Sequence, residues 1–380
     1  MELKITAADL ARALARSQGI VERKSTMPIL SHVLLEARKG NALHVSATDL
    51  DLSVSSEHTV NVEVVKEGAL AVPAKNLFEI VRSLPPTEKV SLKKAGNNYL
   101  ELRCGPSEFR IVGLPAEDFP ALPKFEKVAF VDVVPADLLA QIDCTAFAAS
   151  NDETRYNLNG VFFEPQGPVL RMVATDGHRL ALSERPLAGD YALKKGVILP
   201  RKGLNELKKL LGETIEAAEP GAEATSRLGF AENSAIFRRP GVVLAMRLIE
   251  GLFPDYKQVI PKQGEKILKV GRLRFLETLR RVSLLSSDKS HAVKLELAPG
   301  LLRVLSQNPD LGEAKEEVPV EYGGEALKIG FNARYLTDVV QALKSDDVQL
   351  ELADDLSPGV LRGAGPEDAG YTAVVMPMRI

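Results

Sequence analysis

The sequence predicts an α+β protein built from three repeats of one domain. A helix-patterned segment occurs three times: 127 residues separate Pro73 in VPAKNLFEIVRSLP from Pro200 in LPRKGLNELKKLLG, and 132 more lead to Asn332 in IGFNARYLTDVVQAL. The stretches between these segments alternate apolar and polar residues, as in LEARKGNALHVSATDLDLSVSS, which is typical of strands. Self-similarity at a fixed interval indicates repeated structural units.

Each repeat opens with another helix-patterned segment. These segments are TAADLARALARSQGIV from Thr6, PADLLAQIDCTAFAAS from Pro135 and GRLRFLETLRRVSLLSS from Gly271. In the first of them, Leu10 and Leu14 share one face, while Arg12 and Arg16 lie about 200° away around the helix. We therefore expect two helices per repeat, packed on antiparallel sheets, with basic residues on the faces opposite the core.

Basic pairs seven residues apart recur on the helices of all three repeats. They are Lys75 and Arg82, Lys202 and Lys209, and Arg274 and Arg281. Most charged helix faces in globular proteins are simply solvated, but repetition in three domains favours a shared purpose. A nearly neutral protein can hold a polyanion if its basic helices gather on one surface.

Proline-rich stretches separate the repeats. Phe119-Pro120 in AEDFPALP lies 134 residues before Phe253-Pro254 in EGLFPDYKQVIP. The predicted domains are therefore 1–126, 127–261 and 262–380. A chain of 380 residues is long enough for two or three such domains, each with its own core.

Composition and motifs argue against a metal-binding, secreted or membrane protein and leave a nucleic-acid partner open. The 48 Lys and Arg nearly balance the 51 Asp and Glu, so net charge neither requires nor excludes a nucleic-acid partner. Cys104 and Cys144 have no zinc-ligand spacing and suit a reducing compartment, so we expect no metal and no cofactor. The amino terminus shows no secretory signal, and no run of about 18 apolar residues occurs. We expect a soluble, cytoplasmic protein.

The stretch VATDGHRL raises the alternative of an enzyme, because Asp176 and His178 are suited to proton transfer. However, SATDLDL repeats the Ala-Thr-Asp core without a histidine, and Asp-Gly between apolar runs is a hairpin-turn signal. The sequence also lacks G-x-S-x-G, H-E-x-x-H and a glycine-rich phosphate loop. A turn recruited for binding is the favoured interpretation. A hydrolase using Asp176 and His178, or a monomeric three-repeat protein-binding scaffold, remains the alternative.

The motifs of the chain together resemble the family of bacterial DNA polymerase III beta subunits, the sliding clamps. They occur in family order as MPIL (27–30), ATDL (47–50), VPAK (72–75), RYNLNG (155–160), VATDGHRLA (173–181), PRKG (200–203), FPDY (253–256), IGFN (329–332) and VVMPMRI (374–380). Each motif alone is weak. Their combination spans essentially the whole chain and is highly specific.

The resemblance implies the DNA-clamp fold, in which two chains close head to tail into a ring with helices lining the channel. It implies a non-catalytic processivity factor of the DNA polymerase III holoenzyme that encircles double-stranded DNA without sequence preference. The implied partners are the replicative polymerase alpha subunit, the clamp-loader complex, and other polymerases and repair factors with clamp-binding motifs. Phosphate contacts suit this function because they carry no sequence information.

The resemblance also places the family's DNA-contacting positions. They fall on Lys24, Lys75, Asp152, Tyr156 and Asn157, with Arg201 and Lys202 as further channel candidates. Asp152 stands where a glutamine is familiar, and Asn157 stands where a tyrosine is. Because an aspartate repels phosphate, we expect that contact to be weakened, with Arg155 next to it as compensation.

The family's pocket for partner peptides, between the second and third domains, is implied in the same way. Its matching positions are Leu158, Thr175, Gly177, His178, Arg179, Leu180, Pro254, Val259, Val374, Met376, Pro377, Met378 and Arg379. The expected ligand is a short motif that inserts a leucine or phenylalanine, and methionine supplies adaptable packing for it. Gln258 stands where a basic residue is usual.

The head-to-tail junction of the family has matching positions at both ends of the chain. They are Ile80, Phe109 and Ile111 in the first domain, and Leu284, Leu285, Asp310 and Glu316 in the third. Asn76 occupies a place where a lysine is common, so we expect a weaker ionic component. Ion pairs at an interface rim contribute only about 0 to 1 kcal/mol each, and the apolar residues matter more.

Overall fold

A computed structural model gives the fold of the chain and describes residues 1–22, 26–123, 125, 128–217, 226–261, 264–287 and 290–379. Lys24, Ile380 and the predicted boundary between residues 126 and 127 lie outside the described residues. No helix in the described part of the chain is long and apolar enough to cross a membrane.

Two α-helices form in each predicted repeat, as the sequence pattern indicated. The six helices of the described residues are α1 (Ala7–Ala15), α2 (Ala74–Ser83), α3 (Pro135–Thr145), α4 (Arg201–Ala217), α5 (Arg272–Ser283) and α6 (Ala333–Ala342). Helix α1 begins after Thr6, whose hydroxyl accepts a hydrogen bond from the Asp9 amide, and Asn332 caps α6 in the same manner. Such side chains satisfy amide groups that the first turn leaves unpaired.

The remaining regular structure consists of antiparallel strands. They are β1 (Glu2–Thr6), β2 (His32–Arg38), β3 (Ala42–Thr48), β4 (Leu52–His58), β5 (Glu63–Lys66), β6 (Gly68–Pro73), β7 (Lys89–Lys94), β8 (Tyr99–Cys104), β9 (Ser107–Val112), β10 (Phe130–Val133), β11 (Gly160–Gln166), β12 (Val169–Thr175), β13 (Arg179–Pro186), β14 (Val197–Pro200), β15 (Ser226–Ala231), β16 (Ser234–Arg239), β17 (Val242–Arg247), β18 (Lys266–Gly271), β19 (Ala292–Ala298), β20 (Leu301–Asn308), β21 (Gly312–Pro319), β22 (Leu327–Asn332), β23 (Asp347–Leu352), β24 (Gly359–Gly363) and β25 (Tyr371–Val375).

The first compact unit comprises Met1–Ala136, Ala188–Ala192 and Lys202–Leu248. It contains a five-stranded sheet of order β5-β1-β7-β8-β9 and an eight-stranded sheet of order β10-β15-β16-β17-β4-β3-β2-β6. Helix α1 packs beside α2, and the side chains of Leu10 and Leu77 are fully buried in the core that both helices cover.

The second compact unit comprises Asp137–Leu187, Leu193–Arg201 and Ile249–Ile380. It contains an eight-stranded sheet of order β14-β11-β12-β13-β25-β24-β23-β18 and a four-stranded sheet of order β21-β20-β19-β22. Helix α5 packs beside α6, with Phe275 and Leu336 fully buried.

The central repeat contributes strands to both units. Its strand β17 pairs with β4 of the first repeat, and its strand β13 pairs with β25 of the third. Each eight-stranded sheet is therefore four strands of one repeat joined edge to edge to four strands of the next. Because backbone hydrogen bonds run through these joints, compactness follows the sheets and not the sequence repeats.

Candidate functional site

The candidate site is built around the hairpin turn between β12 and β13. The Thr175 hydroxyl donates to the carbonyl of Arg179 at 2.6 Å and accepts from the amide of Gly177 at 3.1 Å. Oδ1 of Asp176 accepts from the amides of His178 at 2.9 Å and Arg179 at 3.1 Å. The turn requires a left-handed residue at Gly177, where φ is +88°. The hairpin turn expected from Asp-Gly is thus present.

The carboxyl-terminal segment lies directly beside this turn. In the pairing of β13 with β25, Leu180 faces Val374 and Arg179 faces Val375. Just beyond β25, the Met376 amide donates to the carbonyl of His178 at 2.9 Å. The turn and the tail, about 200 residues apart in sequence, therefore form one surface.

An apolar cluster forms the floor beneath this surface. It consists of Val173, Leu180, Leu182, Tyr256, Val360 and Val374, with Phe162, Phe253 and Ile260 packed against it. The rings of Phe162 and Phe253 stack with centroids 4.9 Å apart and an interplanar angle of 3°. The Tyr256 hydroxyl donates to Glu164 at 2.6 Å, and burial raises the pKa of that phenol. The cluster thus satisfies its polar atom internally and leaves an apolar surface.

Large apolar side chains remain exposed at the edge of the cluster. Val259 is 43% exposed and Met376 is 37% exposed, and Pro254 and His178 are also exposed. Pro377 and Met378 are half-buried, whereas Leu158 is buried. Exposed apolar groups gathered around a buried apolar floor are typical of a surface that binds another molecule.

Arg179 is half-buried at the site and has several partners within the chain. Its guanidinium donates to Asp176 at 3.2 Å and to the carbonyl of Phe147 at 2.7 Å, and it also pairs with Asp338 of α6. It lies 4.6 Å from the ring centroid of Tyr335. Arg179 therefore supports the turn from behind.

Asp176 and His178 do not form a proton-transfer pair. Both oxygens of Asp176 are used by backbone amides and by Arg179. The imidazole of His178 lies beside the ring of Tyr335, with centroids 6.3 Å apart. Across the residues that the structure describes, no group of three or more His, Cys, Asp or Glu could hold a metal ion.

The expected DNA-contacting residues differ in how free their side chains are. Tyr156 is 60% exposed, and Lys75 is exposed with Glu79 as a distant partner at 3.8 Å. In contrast, Asn157 donates to the carbonyl of Leu252 at 3.0 Å. Lys202 donates to the carbonyl of Ile20 at 3.1 Å and pairs with Asp49.

Asp152 and Arg201 have local structural partners as well. Asp152 begins a short 3-10 helix and accepts from the hydroxyl and amide of Thr154, and these hydrogen bonds lower the pKa of its carboxyl group. Arg155 lies 3.8 Å from Asp152, close enough to offset part of its charge. Arg201 donates to the side chain of Asn151.

One basic residue of the first helix was wrongly expected on the solvent face. Arg12 is exposed, but the side chain of Arg16 is only 10% exposed and pairs with Glu213 at 2.8 Å. Arg16 is the residue that caps the carboxyl end of α1, and Arg239 approaches the same carboxylate. The guanidinium of Arg16 is therefore turned towards Glu213 and away from the solvent face of α1.

The expected junction residues lie at the ends of the two units. Ile80, Phe109 and Ile111 are half-buried against the core of the first unit. In the second unit Leu284 is 76% exposed, Leu285 is half-buried and Asp310 is exposed. Glu316 is held by Arg281 and Thr278 at 2.7 and 2.8 Å, and the bonds from Arg281 lower its pKa. Glu316 is thus largely satisfied within its own chain.

Sequence reasoning missed much of the floor of the site. Val173 and Leu182 share a face with Leu180, and strand alternation around the turn could have identified both. Tyr256 belongs to the FPDY stretch, but nothing in the sequence links it to Glu164. Tyr335 and Asp338, which hold Arg179, come from α6 and required the tertiary structure.

Comparison with known protein families gives matches along nearly the whole chain. Residues 1–123 match the N-terminal domain of the DNA polymerase III beta subunit, residues 133–255 match its central domain, and residues 257–379 match its C-terminal domain. The three matches follow one another in the order of that family.

Individual relatives agree with this result. The chain is 39% identical over 388 residues to the beta sliding clamp of Caulobacter vibrioides (strain NA1000 / CB15N) and 33% identical over 380 residues to that of Escherichia coli (strain K12), with 100% of both chains covered in each case. A crystal structure of the C. crescentus beta sliding clamp matches with a TM-score of 0.91 at 39% identity, covering 100% of this chain and 99% of that one. A griselimycin-bound Pseudomonas aeruginosa DnaN sliding clamp matches with a TM-score of 0.89 at 33% identity over 100% of both chains.

Proposed function

Because the chain belongs to the DNA polymerase III beta subunit family, the sliding clamps, we propose how its own residues carry out the work of a clamp. It is a DNA sliding clamp and processivity factor, a non-catalytic accessory subunit of DNA polymerase III. A clamp binds DNA, the polymerase, the clamp loader and other clamp-binding proteins. We place it in the cytoplasm, where bacterial DNA is replicated.

The partner site, in this proposal, is the surface made by the turn at Thr175–Leu180 and the segment from Val374 to Arg379. The observation that carries it is the hydrogen bond from Met376 to His178, which brings exposed apolar groups over the cluster of Val173, Leu180 and Val374. A leucine or phenylalanine of a partner peptide would enter between these groups. Unbranched methionine side chains adapt to several partners at one site.

The ring of two chains follows from the way consecutive repeats join. Met246 of β17 faces Leu52 of β4, and Val375 of β25 faces Arg179 of β13. In the first repeat β9 occupies the place of β17 and β25, and in the third repeat β21 occupies the place of β4 and β13. A third joint of the same kind would therefore pair β9 with β21. Each of these strands pairs on one side only within the described chain. We propose that β9 of one copy pairs with β21 of the other, twice in a closed dimer.

The internal joints also suggest a register for the proposed pairing. Isolated bridges join Ala71 to Leu114, Ile198 to Ile249 and Gly330 to Met378, and they mark equivalent positions in the three repeats. Ile111, Met246 and Val375 each lie three residues before the second member of a bridge, so these three residues correspond to one another. The pairs that close the three hairpins are Thr48–Ser53, Thr175–Leu180 and Gln307–Glu313. The residues just before the second member of each pair, Leu52, Arg179 and Gly312, are therefore counterparts. Ile111 of one copy would therefore face Gly312 of the other.

Charge and burial agree with that register. It sets Arg110 opposite Glu313 and Glu108 opposite Lys315, all four of them exposed. It also sets half-buried Phe109 opposite half-buried Ala314. A shift by two residues would bring Arg110 opposite Lys315, a like-charge pair that is destabilising. Leu284 and Leu285 would then add apolar contact at the end of α5.

DNA would be held by topology and by weak phosphate contacts. The proposed contacts are Lys75, Tyr156 and Lys24. The side chains of Lys75 and Tyr156 are exposed, whereas Lys24 lies outside the described residues. Arg201, Lys202, Asn157 and Asp152 have partners within the chain and would contribute less. Contacts to phosphate carry no sequence information and permit sliding. The domain division at 1–126, 127–261 and 262–380 is part of the same proposal.

The partner site can be tested by removing the tail. Deletion of residues 376–380 removes one wall of the site, so we expect a fluorescent peptide from the carboxyl terminus of the polymerase to bind at least tenfold more weakly, about 1.4 kcal/mol. Val259→Glu should weaken the same peptide, because it puts a charge on the apolar rim. Val60→Glu, at a valine of the first unit that is 68% exposed, is the control.

Both site variants should remain dimeric, because neither changes a proposed junction residue. Fluorescence anisotropy measures the affinity, and light scattering measures the mass. Undiminished affinity in the deletion variant and in Val259→Glu would place the partner site elsewhere.

A further inference from the structure

The first unit contains a second copy of the geometry that forms the partner site. Strands β3 and β4 form a hairpin joined to β17, just as β12 and β13 form a hairpin joined to β25. Ser53 faces Ala245 across this joint, as Leu180 faces Val374 across the other. Ser46 faces Ser55 within the hairpin, as Val173 faces Leu182.

A proline-containing connection accompanies each copy. In the first unit, Phe119, Pro120, Leu122 and Pro123 lie over the face formed by β2, β3, β4 and β17. This connection and the strands enclose a cleft of about 580 Å³. Phe253 and Tyr256 have the corresponding place beside the cluster of the second unit. A cleft of this size is large enough to admit the anchoring side chains of a peptide.

The two clefts differ in chemistry at equivalent positions. Val173, Leu180 and Leu182 form a buried apolar floor in the second unit. The first unit has Ser46, Ser53 and Ser55 at those positions, and all three line its cleft. Only one hydrogen bond joins them, from the Ser46 hydroxyl to the Ser55 hydroxyl at 3.2 Å. The residues that cover the floor are aromatic or apolar in both units: Phe119, Leu122 and Phe125 in the first, and Phe253 and Tyr256 in the second.

A serine floor disfavours an apolar ligand for two reasons. Ser46 and Ser53 are already buried, and a leucine or phenylalanine placed against the three hydroxyl groups would offer them no hydrogen bond, which is unfavourable. It would also lose the apolar contact area that Val173, Leu180 and Leu182 provide. His44 and Glu57, paired at 3.1 Å, add a polar pair on β3 and β4, the strands that carry the serines.

We infer that Ser46, Ser53 and Ser55 determine specificity by closing the cleft of the first unit to apolar peptides. This inference rests on the proposed function of the turn and tail of the second unit as the peptide site. It gives a reason why, among the residues that the structure describes, the joint of the second unit and not that of the first would form an apolar peptide site.

The test uses the full chain and the chain lacking residues 376–380. The fluorescent polymerase-tail peptide should bind the full chain with a stoichiometry of one per chain. In the deletion background, the triple change Ser46→Val, Ser53→Leu and Ser55→Leu should increase affinity at least tenfold over the deletion alone. Ser46→Ala with Ser53→Ala and Ser55→Ala is the matched control, with a smaller gain because it removes hydroxyls without restoring the floor.

The outcomes separate this inference from the proposed function. Two peptides per wild-type chain, or a folded triple variant without gain, would overturn the role of the serines. If the triple variant does not fold, as judged by its thermal unfolding, Ser53→Leu alone in the deletion background takes its place: tighter binding supports the role of the serines, and unchanged binding overturns it. Loss of peptide binding in the deletion chain itself reports only on the proposed site.

Discussion

At the scale of single residues, the two Thr-Asp turns show how one conformation is specified twice. Thr48 and Asp49 make the same hydrogen bonds as Thr175 and Asp176, to the amides and the carbonyl of the residues that follow. These bonds impose a left-handed backbone on the third residue of the turn. Glycine meets this requirement in the second repeat, whereas the first repeat has Leu50 at φ +81°. The first turn is therefore strained.

Relief of that strain should stabilise the first unit. A left-handed conformation costs a residue with a side chain roughly 1 to 2 kcal/mol, and glycine removes this cost. Part of the gain is lost, because glycine has more conformational freedom in the unfolded chain. The side chain of Leu50 is 58% exposed and contributes little packing. We expect Leu50→Gly to raise the free energy of unfolding by about 0.5 to 1 kcal/mol, measured by urea denaturation. Leu311→Gly, at a similarly exposed leucine that is not left-handed, should be destabilising. A loss of stability in Leu50→Gly would contradict the strain.

His58 should make stability depend on pH. Burial, together with the charge of Arg16, lowers the pKa of His58 from 6.5 to about 4. The unfolded chain therefore binds a proton on this residue at a higher pH than the folded chain does. Stability should be fully present above about pH 6.5 and fall as the pH is lowered towards 4. His58→Gln should show a smaller fall in the urea midpoint between pH 7 and pH 4.5. An identical fall in both proteins would show that His58 does not contribute.

At the scale of elements, edge-to-edge strand pairing is the recurring means of joining repeats. The joints of β4 with β17 and of β13 with β25 have the same register, and exposed residues of β9 and β21 carry opposite charges in that register. Within one chain Glu108 lies 3.4 Å from Arg103, and Lys315 lies 3.3 Å from Glu317. The proposed junction would add a second partner to each.

Charge exchange should test the proposed register. Glu108→Lys places like charges opposite each other at both junctions of a dimer, and cross-strand charge pairs contribute roughly 0.2 to 1 kcal/mol each. We expect this variant, and Lys315→Glu alone, to dissociate at several-fold higher concentration than the wild type. The double variant should recover most of the loss. Analytical ultracentrifugation over a dilution series measures the dimer, and additive losses in the double variant would reject the pairing of these two residues.

At the scale of the whole molecule, retention on DNA should depend on topology more than on contact. The chain has nearly balanced charges, and Arg16, Lys202 and Glu316 are among the charged residues paired within the chain. Weak direct affinity follows, because each phosphate neutralised contributes a slope of only about −0.9 in log K against log salt concentration for duplex DNA.

Loaded clamps should therefore stay on circular duplex DNA and leave when the circle is cut once. Gel filtration of labelled protein on nicked circles, before and after a restriction cut, measures this retention. Lys75→Ala should reduce the salt dependence of direct binding without changing retention on the closed circle. Equal retention on circular and linear DNA would indicate contact binding and would contradict encirclement.

The sequence by itself determined the class of fold, the three repeats, the two helices in each and the family. These features depend on local patterns: apolar periodicity predicts helices and strands, and an Asp-Gly pair between two apolar runs predicts a hairpin turn. The motifs RYNLNG, VATDGHRLA and VVMPMRI also identified the stretches that form the candidate site.

Only the tertiary structure decided which side chains are available at the surface. Arg16 and Arg179 look like exposed cations in a helical or turn pattern, yet carboxylates from distant elements, Glu213 and Asp338, bind them. The serine floor in the first unit likewise becomes visible only when β4 is set beside β17. The physical reason is that charge pairing and desolvation act between atoms a few ångströms apart in space, and sequence separation carries no record of that distance.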